Sequence, residues 1–265
     1  MRRLWISLTY VVITLLLVVP LYKIFTGAWA QGFDGFIEAI ARPQSLHALK
    51  MTAIIVVTVT VINTFFGVML SLYLVRATWL SRTIKRLSNS IVDLPFAVSP
   101  VIGGLMIVLL LGPNTIMGTF FNNIGVQIVY ALPGMILATL FVTFPIMIRE
   151  VMPVLQEIGD QQEQAASTLG AYSWYTFWKV TWPNIRFGVI YGVVLTVARS
   201  LGEFGAVLVV SGNIINKTQT ATTLVYQDVE NFNVVAANAI ALVLAAFSIM
   251  LLLLMEWTKK RKGVH

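Results

Sequence analysis

The chain has 265 residues, of which 58% are hydrophobic and only 11% charged, with a mean hydropathy of +0.84. Ordinary water-soluble domains carry about a quarter charged residues, so the solvent for much of this chain is lipid. With no cysteine there is no disulfide, thiolate metal site or cysteine nucleophile, and His47 and His265 lie far apart and outside the most apolar runs, so a metal or redox role has no support.

A helix crossing a hydrocarbon core of ~30 Å needs about 20 apolar residues, because in lipid only its own backbone satisfies its amides. Six segments meet this requirement, and they predict an all-α membrane protein forming a single transmembrane domain over residues 1–265, with spans near 4–25, 51–75, 91–111, 128–148, 187–210 and 234–256. The first follows Met1-Arg2-Arg3 and precedes Ala28-Trp29-Ala30, the outline of a cleavable signal peptide. Its apolar run is long for a signal core, so an uncleaved span is expected.

The second predicted span, within Met51–Val75, is free of charge. Leu94–Ile148 is also uncharged, but its 55 residues are too many for one span. Gly112-Pro113-Asn114 and Asn122-Asn123 supply turn chemistry in the middle, which divides it into spans three and four. Asp93, just before Pro95, reads as an N-cap at the start of span three or as a gate residue. With Ser99 and Pro100 nearby, a non-ideal helical segment is tolerated there only beside a cavity or other protein.

Span five contains Arg199 and Glu203. At i,i+4 they share a helix face, either as a structural ion pair or with Arg199 attracting a divalent oxyanion in a pathway. Gly103, Gly104, Gly202 and Gly205 favour close helix contacts.

Six spans place both termini on one side. That side then carries thirteen basic residues: Arg2, Arg3, Arg76, Arg82, Lys85, Arg86, Arg149, Lys179, Arg186, Lys259, Lys260, Arg261 and Lys262. Lys23, Arg42, Lys50 and Lys217 fall on the other side. The asymmetry makes the thirteen-residue side, with both termini, cytoplasmic, and it accounts for the net charge of +7 without nucleic acid.

The longest polar stretch, 150–186, is therefore a cytoplasmic loop. Gln156–Leu169 suits a helix, with Gly170 as a left-handed residue that ends it. Ser173 is placed to cap a second short helix, and Pro183 resets the chain before span five. Small Ala165 and Ala166 permit close approach, and Leu169 suits a partner's apolar groove. An amphipathic connector lying on the membrane surface fits the same composition.

Here the sequence resembles a known family. Ala165, Ala166, Gly170 and Pro183 stand in register with the E-A-A-x3-G-x9-I-x-L-P signature of ABC importer permeases, with Val180 and Trp182 at the Ile and Leu positions. The usual glutamate position holds Gln164, and Glu163 precedes it. Three stretches further resemble the sulfate/thiosulfate members, and within them the W-type subunit: Asp93–Pro100, Thr181–Ile185 and Ala198–Ala206. Related molybdate and tungstate permeases share the Gly-Glu-Phe-Gly pattern of 202–205.

The resemblance implies the type I ABC importer permease fold and a place in the bacterial inner membrane. It also implies a T-type (CysT-like) second permease, two ATP-binding subunits docked on the loop, and an extracytoplasmic binding protein. The chain has no phosphate-cradling G-x-x-x-x-G-K-[ST], so it is not read as an enzyme; no cofactor is expected on it, and ATP and Mg belong to the partner ATPase. A secondary transporter or channel would more often carry ion-coupling carboxylates and an internal repeat, and a membrane scaffold would not need the loop signature.

Overall fold

The computed structural model describes residues 2–77 and 81–261; Met1, Lys262 and His265, named above, lie outside them. Every regular element among the described residues is helical. Two compact units form, one from residues 1–52 and 214–250, the other from 53–213 and 251–265.

The first unit begins with α1 (Arg2–Ile13) and α2 (Val19–Ala28), joined through a π-helical turn at Thr14–Val18. Pro20 explains the turn, because a proline ring collides with the carbonyl four residues back and removes a donor. The ladder shifts accordingly, and the Val19 amide donates to Thr14 O, five residues back. From Trp5 to Ala28 this helix is long and apolar enough to cross a membrane, and none of its most hydrophobic window is buried within the chain.

Next come α3 (Gly32–Ala41) and α4 (Pro43–Arg76), whose 34 residues continue into the second unit. At 1.5 Å per residue α4 is roughly 50 Å long, well beyond the hydrocarbon thickness. The unit is completed by α13 (Ala221–Glu230) and most of α14 (Val234–Arg261). Its core is built on small residues, Ala28, Ala39, Ala236 and Ala239, beside Trp29 stacked on Phe36 with centroids 4.7 Å apart. Arg42 donates to Asp228 at 2.7 Å, pairing a residue before α4 with one near the end of α13.

The second unit contains α5 (Arg82–Ala97), α6 (Pro100–Leu111), α7 (Ile116–Asn123), α8 (Leu132–Ile158), α9 (Gln161–Thr168), α10 (Ser173–Thr176), α11 (Trp182–Leu201) and α12 (Gly205–Ser211). Helices α8 and α11 pack antiparallel through glycines. A β-carbon on Gly188 would lie 2.9 Å from Glu150 O, and one on Gly192 would lie 2.6 Å from Met147 Sδ. Val68 of α4 joins Met147, Val151, Leu155, Ile185 and Val189 in the apolar core between them.

Two expected spans are discontinuous. The third is broken at Val98-Ser99 into α5 and α6, which meet at 107°. Proline pushes its predecessor out of the helical region, and Ser99 is extended at φ −58°, ψ 136°. The fifth does not run unbroken to Val210, because α11 stops at Leu201 and the chain resumes as α12 at Gly205. Among the described residues five helices, and the bent pair of α5 and α6 taken as one span, are long and apolar enough to cross a membrane.

Candidate functional site

The loop after α8 is built around a half-buried tether. Helix α8 ends at Gly159, whose φ of +67° and ψ of −168° belong to a region essentially restricted to glycine. Arg76, at the end of α4, donates to Gly159 O at 2.6 Å and Leu155 O at 3.3 Å, capping terminal carbonyls of α8. The same guanidinium reaches Glu163 of α9, with Nε 2.8 Å from Oε2 and Nη2 3.2 Å from Oε1. Thr181 Oγ1 donates to Glu163 Oε1 at 2.8 Å, tying the far end of the loop to the same carboxylate.

Of the adjacent side chains of Glu163 and Gln164, only that of Glu163 makes the contact to α4. Gln164 faces away and donates to Asp160 Oδ2 at 2.8 Å, while Glu163 holds the loop to α4. Helix α9 closes as expected at Gly170, φ +82°. The Gly170 amide donates to Ser167 O at 3.0 Å and that of Ala171 to Ala166 O at 3.1 Å, the two bonds of a Schellman ending.

Two expectations need correction. Residues 156–158 belong to α8, because Gly159 breaks the chain before α9. Ser173 lies inside α10; Tyr172 takes the N-cap position and makes no side-chain cap. Pro183 sits at the start of α11, after a second π-helical turn at Phe177–Thr181 that has the same proline origin as the first.

The loop presents its apolar side chains outward: Leu169 is 89% exposed, Tyr172 84% and Trp174 73%, with Ala165 exposed beside them. Trp174, Phe177, Trp178 and Trp182 form a ring-to-ring chain behind them. A rigid, tethered knob with an unpartnered apolar tip suits docking into another protein's groove.

The other two sequence stretches meet at the helix breaks. A β-carbon on Gly205 would lie 3.0 Å from Val101 Cγ2, and one on Gly104 only 2.6 Å from Ala206 O, so α6 and α12 touch backbone to backbone. Gly103 is equally tight against Phe141, whereas a β-carbon on Gly202 would meet only Arg199 O, at 4.0 Å, so no close helix contact depends on it.

Arg199 and Glu203 do pair, Nη1 to Oε2 at 2.8 Å, with side-chain exposures of 38% and 2%. Glu203 Oε1 also accepts from the Ala206 amide at 3.1 Å, capping α12. The carboxylate is thus set into the fold and the guanidinium is turned outward.

Asp93 is not an N-cap. It lies inside α5, and its carboxylate accepts two hydrogen bonds from Arg149 of α8, one of them Nε to Oδ1 at 2.8 Å. Pro95 lies within the same helix, and Ser99 and Pro100 form the break. Sequence reasoning missed Arg76, Thr181 and Arg149, which carry no local signal beyond their charge or hydroxyl. Their partners lie 87, 18 and 56 residues away.

Residues 63–263 match the family described as binding-protein-dependent transport system inner membrane component. The sulfate transport system permease protein CysW of Synechocystis sp. is 44% identical over 264 residues, covering 100% of this chain and 95% of that protein. CysT of Escherichia coli, also a sulfate transport system permease protein, is 34% identical over 251 residues, covering 95% and 90%. A crystal structure of a bacterial ABC transporter involved in alginate import superposes with a TM-score of 0.80 at 18% identity, covering 99% of this chain and 97% of that one, a likeness of fold. The chain belongs to the family of binding-protein-dependent transport system inner membrane components.

Proposed function

We propose that this chain is a transmembrane subunit of an ATP-driven importer that moves sulfate or thiosulfate delivered by an extracytoplasmic binding protein. The observation that carries the reading is the tethered knob at 159–183 with Leu169 and Tyr172 outward, in a chain 44% identical end to end to a sulfate permease. A chain that only conducted passively would have no use for a rigid lever held by Arg76 and Glu163. Docked ATP-binding subunits use one, because their movement is transmitted through α9 to α4, α8 and α11. The basic asymmetry supports a cytoplasmic position for this knob and both termini.

The partners are a second, CysT-like permease, two ATP-binding subunits that hold ATP and Mg, and the binding protein. Likeness to both CysW and CysT supports a pair of homologous but distinct permeases. Sulfate is favoured over molybdate because both relatives are sulfate transport proteins. The test is to co-express the chain with its neighbours, isolate the complex through a tag on this chain, and measure sulfate uptake in proteoliposomes with competing thiosulfate and molybdate. Co-isolation of an ATPase and ATP-dependent uptake competed by thiosulfate is expected. Isolation without an ATPase, or uptake unaffected by ATP, refutes the reading.

A further inference from the structure

A guanidinium more than a third exposed on the flank of a membrane-spanning helix has no acceptable neighbour in hydrocarbon. Two of the exposed arginines on the spanning helices of the second unit are held by a carboxylate. The Arg199 side chain is 38% exposed and that of Arg149 40% exposed, and each is paired with a carboxylate. Both line one open cleft of about 490 Å³, together with the carboxylate of Glu150 and the apolar Phe96, Ile146, Leu195 and Leu252.

Their spacing follows from the helix register. Gly188 faces Glu150 and Gly192 faces Met147, so Arg149 stands level with about residue 189 of the antiparallel α11. Arg199 is ten residues further on, roughly 15 Å at 1.5 Å per residue. That exceeds the width of a tetrahedral oxyanion, so one ion meets the two cations in turn.

Resting on the oxyanion reading above, we propose that Arg149 and Arg199 are two successive stations for a small divalent oxyanion passing along this cleft. Their partners Asp93 and Glu203 keep each station neutral when it is empty.

The pairing has a physical purpose. An uncompensated arginine in a low-dielectric cleft is costly to maintain and holds a dianion too tightly to release it. A carboxylate in contact competes with the passing anion, so binding is strong enough for entry and weak enough for exit. At Arg199 the arrangement is directional: Glu203 is buried and fixed by the Ala206 amide, so that of the pair only the guanidinium lines the cleft, with Glu150 the one carboxylate beside it.

The natural absence of cysteine makes the test direct. Ala198→Cys and Ile146→Cys each place a thiol on the cleft lining, and the assembled complex is treated with size-matched anionic and cationic methanethiosulfonate reagents. The anionic reagent should react about tenfold faster, the lower end of electrostatic focusing, because the two guanidiniums line the cleft while Asp93 and Glu203 lie behind them. Excess sulfate should slow it. Adding Arg199→Gln with Glu203→Gln to Ala198→Cys should abolish the preference there, and Arg149→Gln with Asp93→Asn should do so for Ile146→Cys.

Without the cysteines, the double neutral variants should lose sulfate uptake per assembled complex while binding-protein-stimulated ATP hydrolysis persists. Arg199→Lys should keep the reagent preference. Equal reaction of the two reagents, no reaction because a partner covers the cleft, or a preference that follows anionic lipid content and ignores sulfate each overturns the proposal. A wild-type complex that takes up no sulfate sinks the importer reading instead, since the reagent selectivity is measured without transport.

Discussion

Glu163→Gln is the sharpest probe of the tether, because it removes the charge and keeps nearly the same shape. The carboxylate sits 2.8 Å from Arg76 Nε and 2.8 Å from Thr181 Oγ1, and the Arg76 and Glu163 side chains are 21% and 22% exposed. Hydrogen bonds to charged groups contribute about 1.5–3 kcal/mol net, and partial exposure favours the lower half of that range. Glutamine still offers an oxygen to Thr181, and Arg76 keeps the carbonyls of Gly159 and Leu155.

A loss of about 1.5–2 kcal/mol in holding α9 against α4 follows, which at 1.4 kcal/mol per tenfold is roughly a 10–30-fold rise in local opening. Amide hydrogen exchange of 161–171 in the solubilised protein reads this opening directly, because these amides are released when the loop detaches. The core amides of α8 and α11 serve as the internal control. Exchange in 161–171 raised less than twofold would refute the idea that the Arg76–Glu163 contact holds the loop, and the mechanical role assigned to it would fall as well.

Two further substitutions address the glycines. Gly170→Val places a β-branched residue at φ +82° with nothing else crowding it, so a cost of about 1–2 kcal/mol or more should fall on the Schellman ending alone; membrane insertion should be normal, with ATPase association and uptake reduced. Gly104→Ala brings a methyl within 2.6 Å of a backbone oxygen on α12, and the resulting overpacking of about 1–3 kcal/mol should lower the thermal unfolding temperature of the complex, whereas Gly202→Ala, whose methyl would come no nearer than 4.0 Å to Arg199 O, should leave it unchanged.

What was legible in the sequence shares one property, which is locality. Apolar runs of span length, the turn at Gly112-Pro113-Asn114 and the left-handed Gly170 depend on interactions within a few residues. The missed features have distant causes. Asp93 looks like a helix start beside Pro95, but its partner Arg149 is 56 residues away on α8. Glu163 and Gln164 are adjacent, and only the rotation of about 100° per residue around α9 decides which one meets Arg76.

By itself, then, the sequence determined that the chain lives in lipid, which loops carry positive charge, and that a short two-helix knob follows the fourth span. Transfer free energy and backbone hydrogen bonding dictate these wherever the rest of the chain goes. Tertiary structure alone decided that two expected spans break at Ser99 and Gly202, that the breaks pack together at Gly104 and Gly205, and that Glu203 is buried while Arg199 is presented. The reason is that a charged or discontinuous segment is stable in a membrane domain only when residues distant in sequence supply its partners. Those partners are fixed by packing geometry and not by composition.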